Sequence, residues 1–155
     1  MDLSRKDIAS NRKAFHDYFV LERFEAGIEL AGTEVKSIRA GNINLKDSFC
    51  TIKDGELFLR GMHISPYSHG NIFNKDPVRP RRLLMHKREI NKLYFKIMTD
   101  GVALIPLSVY FKGSLIKVEL GLCKGKKLHD KRDSTAERES RRDLERIMKE
   151  RRSME

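Results

Sequence analysis

Two consecutive runs of alternation constrain this chain more than any other feature. Ala103, Ile105, Leu107, Val109 and Phe111 are apolar at every second position, and after Lys112-Gly113-Ser114 the pattern resumes with Ile116, Val118, Leu120 and Leu122. A period of two puts alternate side chains on opposite faces of a strand, so the pair predicts an antiparallel hairpin with one face on the core. Pro106 has no N–H to give a ladder, which predicts a sheet edge or a bulge at that point. A second hairpin is predicted from residues 49–52 and 57–59, because Asp54-Gly55 between them tolerates the positive φ angles of a tight two-residue turn. Residues 16–22, with Tyr18, Phe19, Val20 and Leu21, are aromatic and β-branched enough for a fifth strand.

Helical spacing is confined to two places in this region. Residues 33–40 carry Val35 and Ile38 three apart and end at Gly41, a natural helix terminator. In residues 86–98, Ile90, Leu93, Tyr94, Ile97 and Met98 fall on one helical face, which predicts packing on the sheet. Short strands, glycine turns and a few packing helices predict a mainly β fold. Its expected form is a small closed antiparallel OB-like β-barrel with two or three flanking α-helices, a sandwich being the alternative. At 155 residues the chain is long enough for one such domain and a tail. We expect the barrel in 1–128 and a basic C-terminal tail in 129–155.

Charge separates the functional classes. The net charge is +10, and residues 75–92 and 122–155 together hold +9 of it while the other 103 residues are nearly neutral. A localised basic surface calls for a polyanion, and without an apolar amphipathic face beside it nucleic acid is favoured over a membrane. The first cluster offers Arg79, Arg81, Arg82, His86, Lys87 and Arg88 around Leu83-Leu84, and reads as a loop contacting phosphates, with Pro80 stiffening it. The second offers Lys124, Gly125, Lys126 and Lys127, where glycine permits close approach of the backbone to phosphate. It is not a Walker A loop. Taken alone, the first cluster could equally be a solvated surface loop, and basic clusters like the second often serve as flexible linkers. Phe15, Tyr18, Phe19 and Phe58, all expected on strands, are candidates for base stacking or for core.

Catalysis and metal binding find little support. The five histidines show no ligand spacing, the acidic residues form no close pair, and Cys50 and Cys123 are too far apart in sequence for a zinc motif and read as free buried thiols. We expect no metal, no cofactor and no enzymatic activity. Glu25, among the apolar neighbours of Phe24-Glu25-Ala26-Gly27-Ile28, must find a partner or contact a ligand donor. No apolar h-region opens the chain and no run could span a bilayer, so the expected location is the cytoplasm. Beyond residue 130 only Ala136, Leu144, Ile147, Met148 and Met154 are apolar, which predicts a tail that folds as a helix only when docked.

Several ordered blocks resemble one family. Asn11-Arg12-Lys13-Ala14, His16-Asp17-Tyr18, Phe24-Glu25-Ala26-Gly27-Ile28, Gly32-Thr33-Glu34-Val35-Lys36-Ser37, Asp76-Pro77, Leu83-Leu84, His86-Lys87-Arg88-Glu89-Ile90, Pro106-Leu107, Gly125-Lys126-Lys127, Asp130-Lys131-Arg132 and Arg146-Ile147-Met148-Lys149 resemble the small protein B family, the SsrA-binding proteins. The resemblance implies an OB-like barrel that binds the tRNA-like domain of transfer-messenger RNA and accompanies it to ribosomes stalled on messages lacking a stop codon. It implies a monomer with no membrane and no catalysis. Asn11, Tyr18, Glu25 and Leu84 would face RNA, with Lys124, Lys126 and Lys127 near its backbone. His129, Asp130, Lys131 and Arg132 would reach the small-subunit decoding centre, and Ile147, Met148 and Lys149 would lie in the empty mRNA channel. Cys123, where the family usually has alanine, and Tyr94-Phe95, where a glycine is common, depart from the pattern. The alternative class is a general single-strand RNA-binding OB module, which would lack preference for a folded RNA.

Overall fold

The computed structural model describes residues 5–68 and 74–126. Its centre is the predicted hairpin, β8 (Ala103–Lys112) and β9 (Leu115–Gly125). Before it come β1 (Arg5–Ser10), α1 (Arg12–Asp17), β2 (Tyr18–Ile28), α2 (Gly32–Arg39), β3 (Ile43–Asn44), β4 (Phe49–Lys53), β5 (Glu56–Arg60), β6 (His63–Ile64), β7 (Arg81–Leu84) and α3 (Lys87–Asp100). Seven strands form one antiparallel sheet in the order β1-β8-β9-β2-β7-β5-β4, and β3 pairs with β6 apart from it. The β4–β5 turn is the one expected, with Asp54 and Gly55 both at positive φ. The core gathers Ala26, Ile38, Leu57, Leu59, Leu83, Leu93, Val118 and Leu120, all at most 1% exposed.

The sheet does not close, which corrects the expected barrel. β4 approaches β8, yet among the described residues the two form no ladder. The reason is local to the edge of β8. β1 takes its outer half, from Ser108 to Lys112, and Asn11 seals the next stretch. The Asn11 backbone N–H donates to the Leu107 carbonyl at 2.8 Å and its side-chain amide donates to the Pro106 carbonyl at 2.9 Å. Pro106 has no donor of its own to offer β4. The sheet therefore ends at β1 and α1 on one side and at β4 on the other.

The alternation in β8 also needs correcting, since both of its faces are buried. The register shifts between Pro106 and Ser108, a bulge where the proline predicted one. Leu104 and Val109 consequently join the main core, while Ile105 and Leu107 pack in a smaller cluster with Ala14 and Cys123 under α1. Both cysteines are free and buried. Burial raises both thiols, that of Cys123 to about 11, so neither is a reactive thiolate at neutral pH.

Three other boundaries differ from the sequence reading. Residues 12–17 are helical because Asn11 caps them, its side-chain oxygen accepting the Ala14 N–H at 3.2 Å, so Phe15 is on a helix and the strand begins at Tyr18. Residues 81–84 form β7 where a loop was expected. The long helix is capped at its end by Gly101 in the left-handed region. Its buried stripe is narrow: Ile90 and Leu93 are covered and Ile97 is partly so, but Tyr94 and Met98, expected on that face, are 47% and 66% exposed.

Candidate nucleic-acid interface

On β2 and β9 the register sets Glu25 directly opposite Glu119. Two carboxylates facing across a ladder repel, and the structure answers with cations and a phenol from β1 and β8 and with Arg23 of β2 itself. Tyr110 donates its hydroxyl to Glu25 at 2.5 Å, and Lys112 Nζ lies 3.2 Å from the same carboxylate. Arg5 reaches from β1 to Glu119 at 2.7 Å, donates to Ser108 Oγ at 2.7 Å and to Asp7 at 2.8 Å, and lies 3.9 Å above the Tyr110 ring. Arg23 takes the other oxygen of Glu119 at 3.1 Å.

The electrostatics follow from these contacts. The Tyr110 hydroxyl above all, with help from Lys112, holds the Glu25 carboxyl below its ordinary value against the opposing effect of burial. Burial and the Glu25 hydrogen bond together push the Tyr110 phenol well up. Four strands thus share one ordered polar cluster, with Glu25 ionised at neutral pH and its side chain partly exposed.

Beside this cluster β2 meets β7 in a groove of about 410 Å³ lined by Glu25, Gly27, Leu84, Met85, His86, Glu89 and Lys117. Gly27 pairs with Leu84, and a Cβ on Gly27 would stand 3.3 Å from the Leu84 Cβ. The missing side chain is what lets β7 lie this close. Leu84 remains 46% exposed, an apolar wall to a groove whose other sides are charged.

Alternation along β7 sorts the first basic cluster. Arg82 and Leu84 point outward and Arg81 and Leu83 inward. Arg81 is fully buried, donating to Glu34 at 2.8 Å, to the Met62 carbonyl at 2.5 Å and to the Pro77 carbonyl at 3.0 Å. Arg79 also ion-pairs with Glu34. Burial opposes the ionisation of Glu34, but Arg79, the Ala31 N–H and Arg81 outweigh it and hold its pKa low. Burial lowers the Arg81 pKa from a value so high that the guanidinium stays charged. A loop of free cations was the expectation for this segment. The structure instead spends Arg81 on the interior, where no phosphate can reach it, and most of Arg79 on Glu34. Arg82, His86, Lys87 and Arg88 stay on the surface. Lys87 and Arg88 occupy the first turn of α3, where the helix dipole disfavours cations, a local cost that a bound anion would relieve.

The second basic cluster lies at the far end of β2. Tyr18 is opposite Gly125 and Phe19 opposite Lys124. The Lys126 N–H donates to the Asp17 carbonyl at 2.9 Å, and its ammonium sits 5.0 Å from the Phe19 ring. Asn11, 5% exposed, is occupied by its cap and by Pro106, so it braces this end from beneath. A depression of about 350 Å³ beside Asn11 and Tyr18 is lined also by Lys13, Asp17, Asp47 and Phe49. Lys127, His129, Asp130, Lys131, Arg132, Ile147, Met148 and Lys149 lie outside the described residues, as do 69–73.

The structure therefore gathers Glu25, Leu84, His86 and their basic neighbours at one place, and Tyr18, Lys124, Gly125 and Lys126 at another. Arg5, Tyr110, Lys112, Lys117 and Glu119 were missed by the sequence reading. Tyr110 counted as a solvent-side residue in a simple alternation, and only the bulge betrays it. Among the described residues no three His, Cys, Asp or Glu side chains come together as a metal site, and no helix is long and apolar enough to cross a membrane.

Such a surface on an open antiparallel sheet defines the chain as a small β protein built to meet a structured polyanion. The comparisons with known proteins agree. The chain belongs to the SmpB family, whose model matches residues 8–150. It is 58% identical over 146 residues to the SsrA-binding protein of Acetivibrio thermocellus, covering 94% of this chain and 95% of that one. To the SsrA-binding protein of Caldanaerobacter subterraneus it is 60% identical over 145 residues, covering 94% and 92%. A solved structure described as "tmRNA-SmpB: a journey to the center of the bacterial ribosome" matches at a TM-score of 0.65 and 46% identity, covering 89% of this chain and 94% of that one.

Proposed function

We propose that this chain binds the tRNA-like domain of transfer-messenger RNA and delivers it to stalled ribosomes for trans-translation, acting as a cytoplasmic RNA-binding protein without catalysis of its own. The observation that carries this reading is the 46% identity, over 89% of the chain, to the solved tmRNA-SmpB structure. Residues 1–128 would form the RNA-binding unit and 129–155 the ribosome-directed tail. In this reading the groove of Glu25, Leu84 and His86, with Arg82, Lys87 and Arg88 around it, receives the folded RNA. Tyr18, Lys124, Gly125, Lys126 and Lys127 follow its backbone. His129, Asp130, Lys131 and Arg132 would meet the decoding centre, and Ile147, Met148 and Lys149 the mRNA channel.

The physical support lies in the mixture of groups. An ordered carboxylate accepts hydrogen bonds from base or ribose donors, an apolar wall excludes water, and surrounding cations take phosphates. Shape and 2′-hydroxyl recognition of a folded RNA needs all three. The test is a titration against the tRNA-like domain, with unstructured RNA of equal length as competitor, at two salt concentrations. Preference for the folded RNA persisting at the higher salt is expected. Equal binding to both would make the chain a general single-strand RNA module instead.

A further inference from the structure

Beyond Arg88, at the edge of the groove, the outer face of α3 is used neither by the groove nor by the core. Arg88, Asn91, Lys92, Phe95 and Lys96 fall at i, i+3, i+4, i+7 and i+8, one continuous stripe of the helix, and together they line a shallow surface hollow. Phe95 is 68% exposed, the highest value of any large apolar side chain among the described residues. It sits between cations that recur every about 6 Å along the axis, four residues at 1.5 Å each. That step is close to the spacing of successive phosphates in a nucleic-acid strand. Arg88 and Lys92 make no ion pair among the described residues. Lys96 has only an exposed contact with Glu22 at 2.6 Å, of the kind that contributes little and gives way to a stronger anion.

We propose that this face of α3 is an RNA-docking surface, in which Phe95 stacks on an unpaired base while Arg88, Lys92 and Lys96 hold the flanking phosphates. An exposed aromatic among evenly spaced cations is the arrangement by which proteins hold unpaired nucleotides. The occupant is the same folded RNA that the groove receives, because the surfaces are continuous: His86 and Glu89 line the groove, and Arg88 lies between them in sequence on the first turn of α3. At its other end the stripe runs on to Lys124, which shares a second depression with Lys96, Leu21 and Leu122 and with the carboxylates of Glu22 and Asp100. The helix thus joins the two basic regions into one track. The proposal rests on the RNA-binding function proposed above.

The test compares the full chain with K92E/F95A, both positions being exposed and outside the groove, and with L84D as a groove variant. Each is titrated with the tRNA-like domain across a range of salt, and binding to isolated ribosomes is measured in parallel. For K92E/F95A we expect affinity for the tRNA-like domain to fall at least tenfold and the salt slope to flatten by about one unit, the share of one lost phosphate contact. F95A alone is expected to lower affinity without changing the slope. Unchanged affinity and slope for the tRNA-like domain would overturn the proposal, and so would a loss seen only on ribosomes, which would assign the face to ribosomal RNA. In either case, tight binding by the parent chain and its loss in L84D would leave the function standing. A parent chain with no preference for the folded RNA would remove both.

Discussion

At the scale of single residues the proposed interface depends on charges held in fixed states. Glu25 is ionised because Tyr110 and Lys112 both favour its charged form. A group whose folded pKa is depressed contributes stability that is complete above its unfolded value, about 4.3 for glutamate, and that is lost as pH falls through the lower folded value. The Glu25–Tyr110 pairing is therefore expected to persist through neutral pH, failing in acid when Glu25 takes a proton and in strong alkali when the raised phenol loses its own. The reciprocal effect is measurable on the phenol. Glu25→Gln should lower the Tyr110 titration toward the ordinary tyrosine value of about 10 without reaching it, because burial, the larger cause, remains. A spectrophotometric titration that leaves Tyr110 unmoved would separate it from Glu25. Gly27 makes a second point of this kind. Gly27→Val would push Leu84 outward, and we expect weakened RNA binding with a loss of about 1–3 kcal/mol in stability by denaturant unfolding.

Among the elements, α2 and β7 owe their placement to one buried ion cluster. Glu34 caps its own helix through the Ala31 N–H at 2.8 Å and faces both Arg79 and Arg81. Glu34→Ala leaves the Arg81 guanidinium buried without its carboxylate, so urea unfolding should show a loss of about 3–5 kcal/mol. Glu34→Gln should also reduce the steepness of acid unfolding below the ordinary carboxylate range, because the depressed pKa is what couples this site to pH.

The same element marks where the sequence was legible and where it was not. The β8–β9 and β4–β5 hairpins could be read because alternation and an Asp-Gly turn are local signals. β7 could not, since Arg-Arg-Leu-Leu has too short a period, and burial of Arg81 depends on a glutamate 47 positions earlier. β1 was invisible for a related reason: Arg5-Lys6-Asp7-Ile8-Ala9-Ser10 is an edge strand with little apolar surface to declare it. Glu25 stood out as a carboxylate among apolar neighbours, whereas its partner Tyr110 was hidden by the phase shift at Pro106.

For the molecule as a whole, the proposed division between a folded RNA-binding unit and a ribosome-directed tail makes a separable prediction. Replacing Ile147 and Met148 by Asp should leave affinity for the tRNA-like domain within twofold of the parent and abolish tagging in a reconstituted translation assay; a loss of RNA affinity would refute the division. The open sheet makes another. Asn11→Ala removes the helix cap and the side-chain bond to the Pro106 carbonyl while keeping the backbone bond to Leu107, and thermal unfolding should report a loss of about 1–3 kcal/mol, the sum of a cap and an unpaired carbonyl.

The place of β1 at the rim of the sheet reaches further than its size. This six-residue strand supplies Arg5, the side chain that spans Tyr110 and Glu119, yet a rim strand paired on one side only is among the first to open. Opening of β1 would withdraw the arginine from Glu119 and from the Tyr110 ring, leaving Arg23 as the remaining cation on that carboxylate. Ligand binding to the closed form alone must then suppress the opening by the ratio of ligand concentration to dissociation constant. Backbone amides of β1 should exchange with deuterium faster than those of β9 in the free protein and slow in proportion to RNA saturation, so that the N-terminal strand becomes a clock for occupancy of the groove.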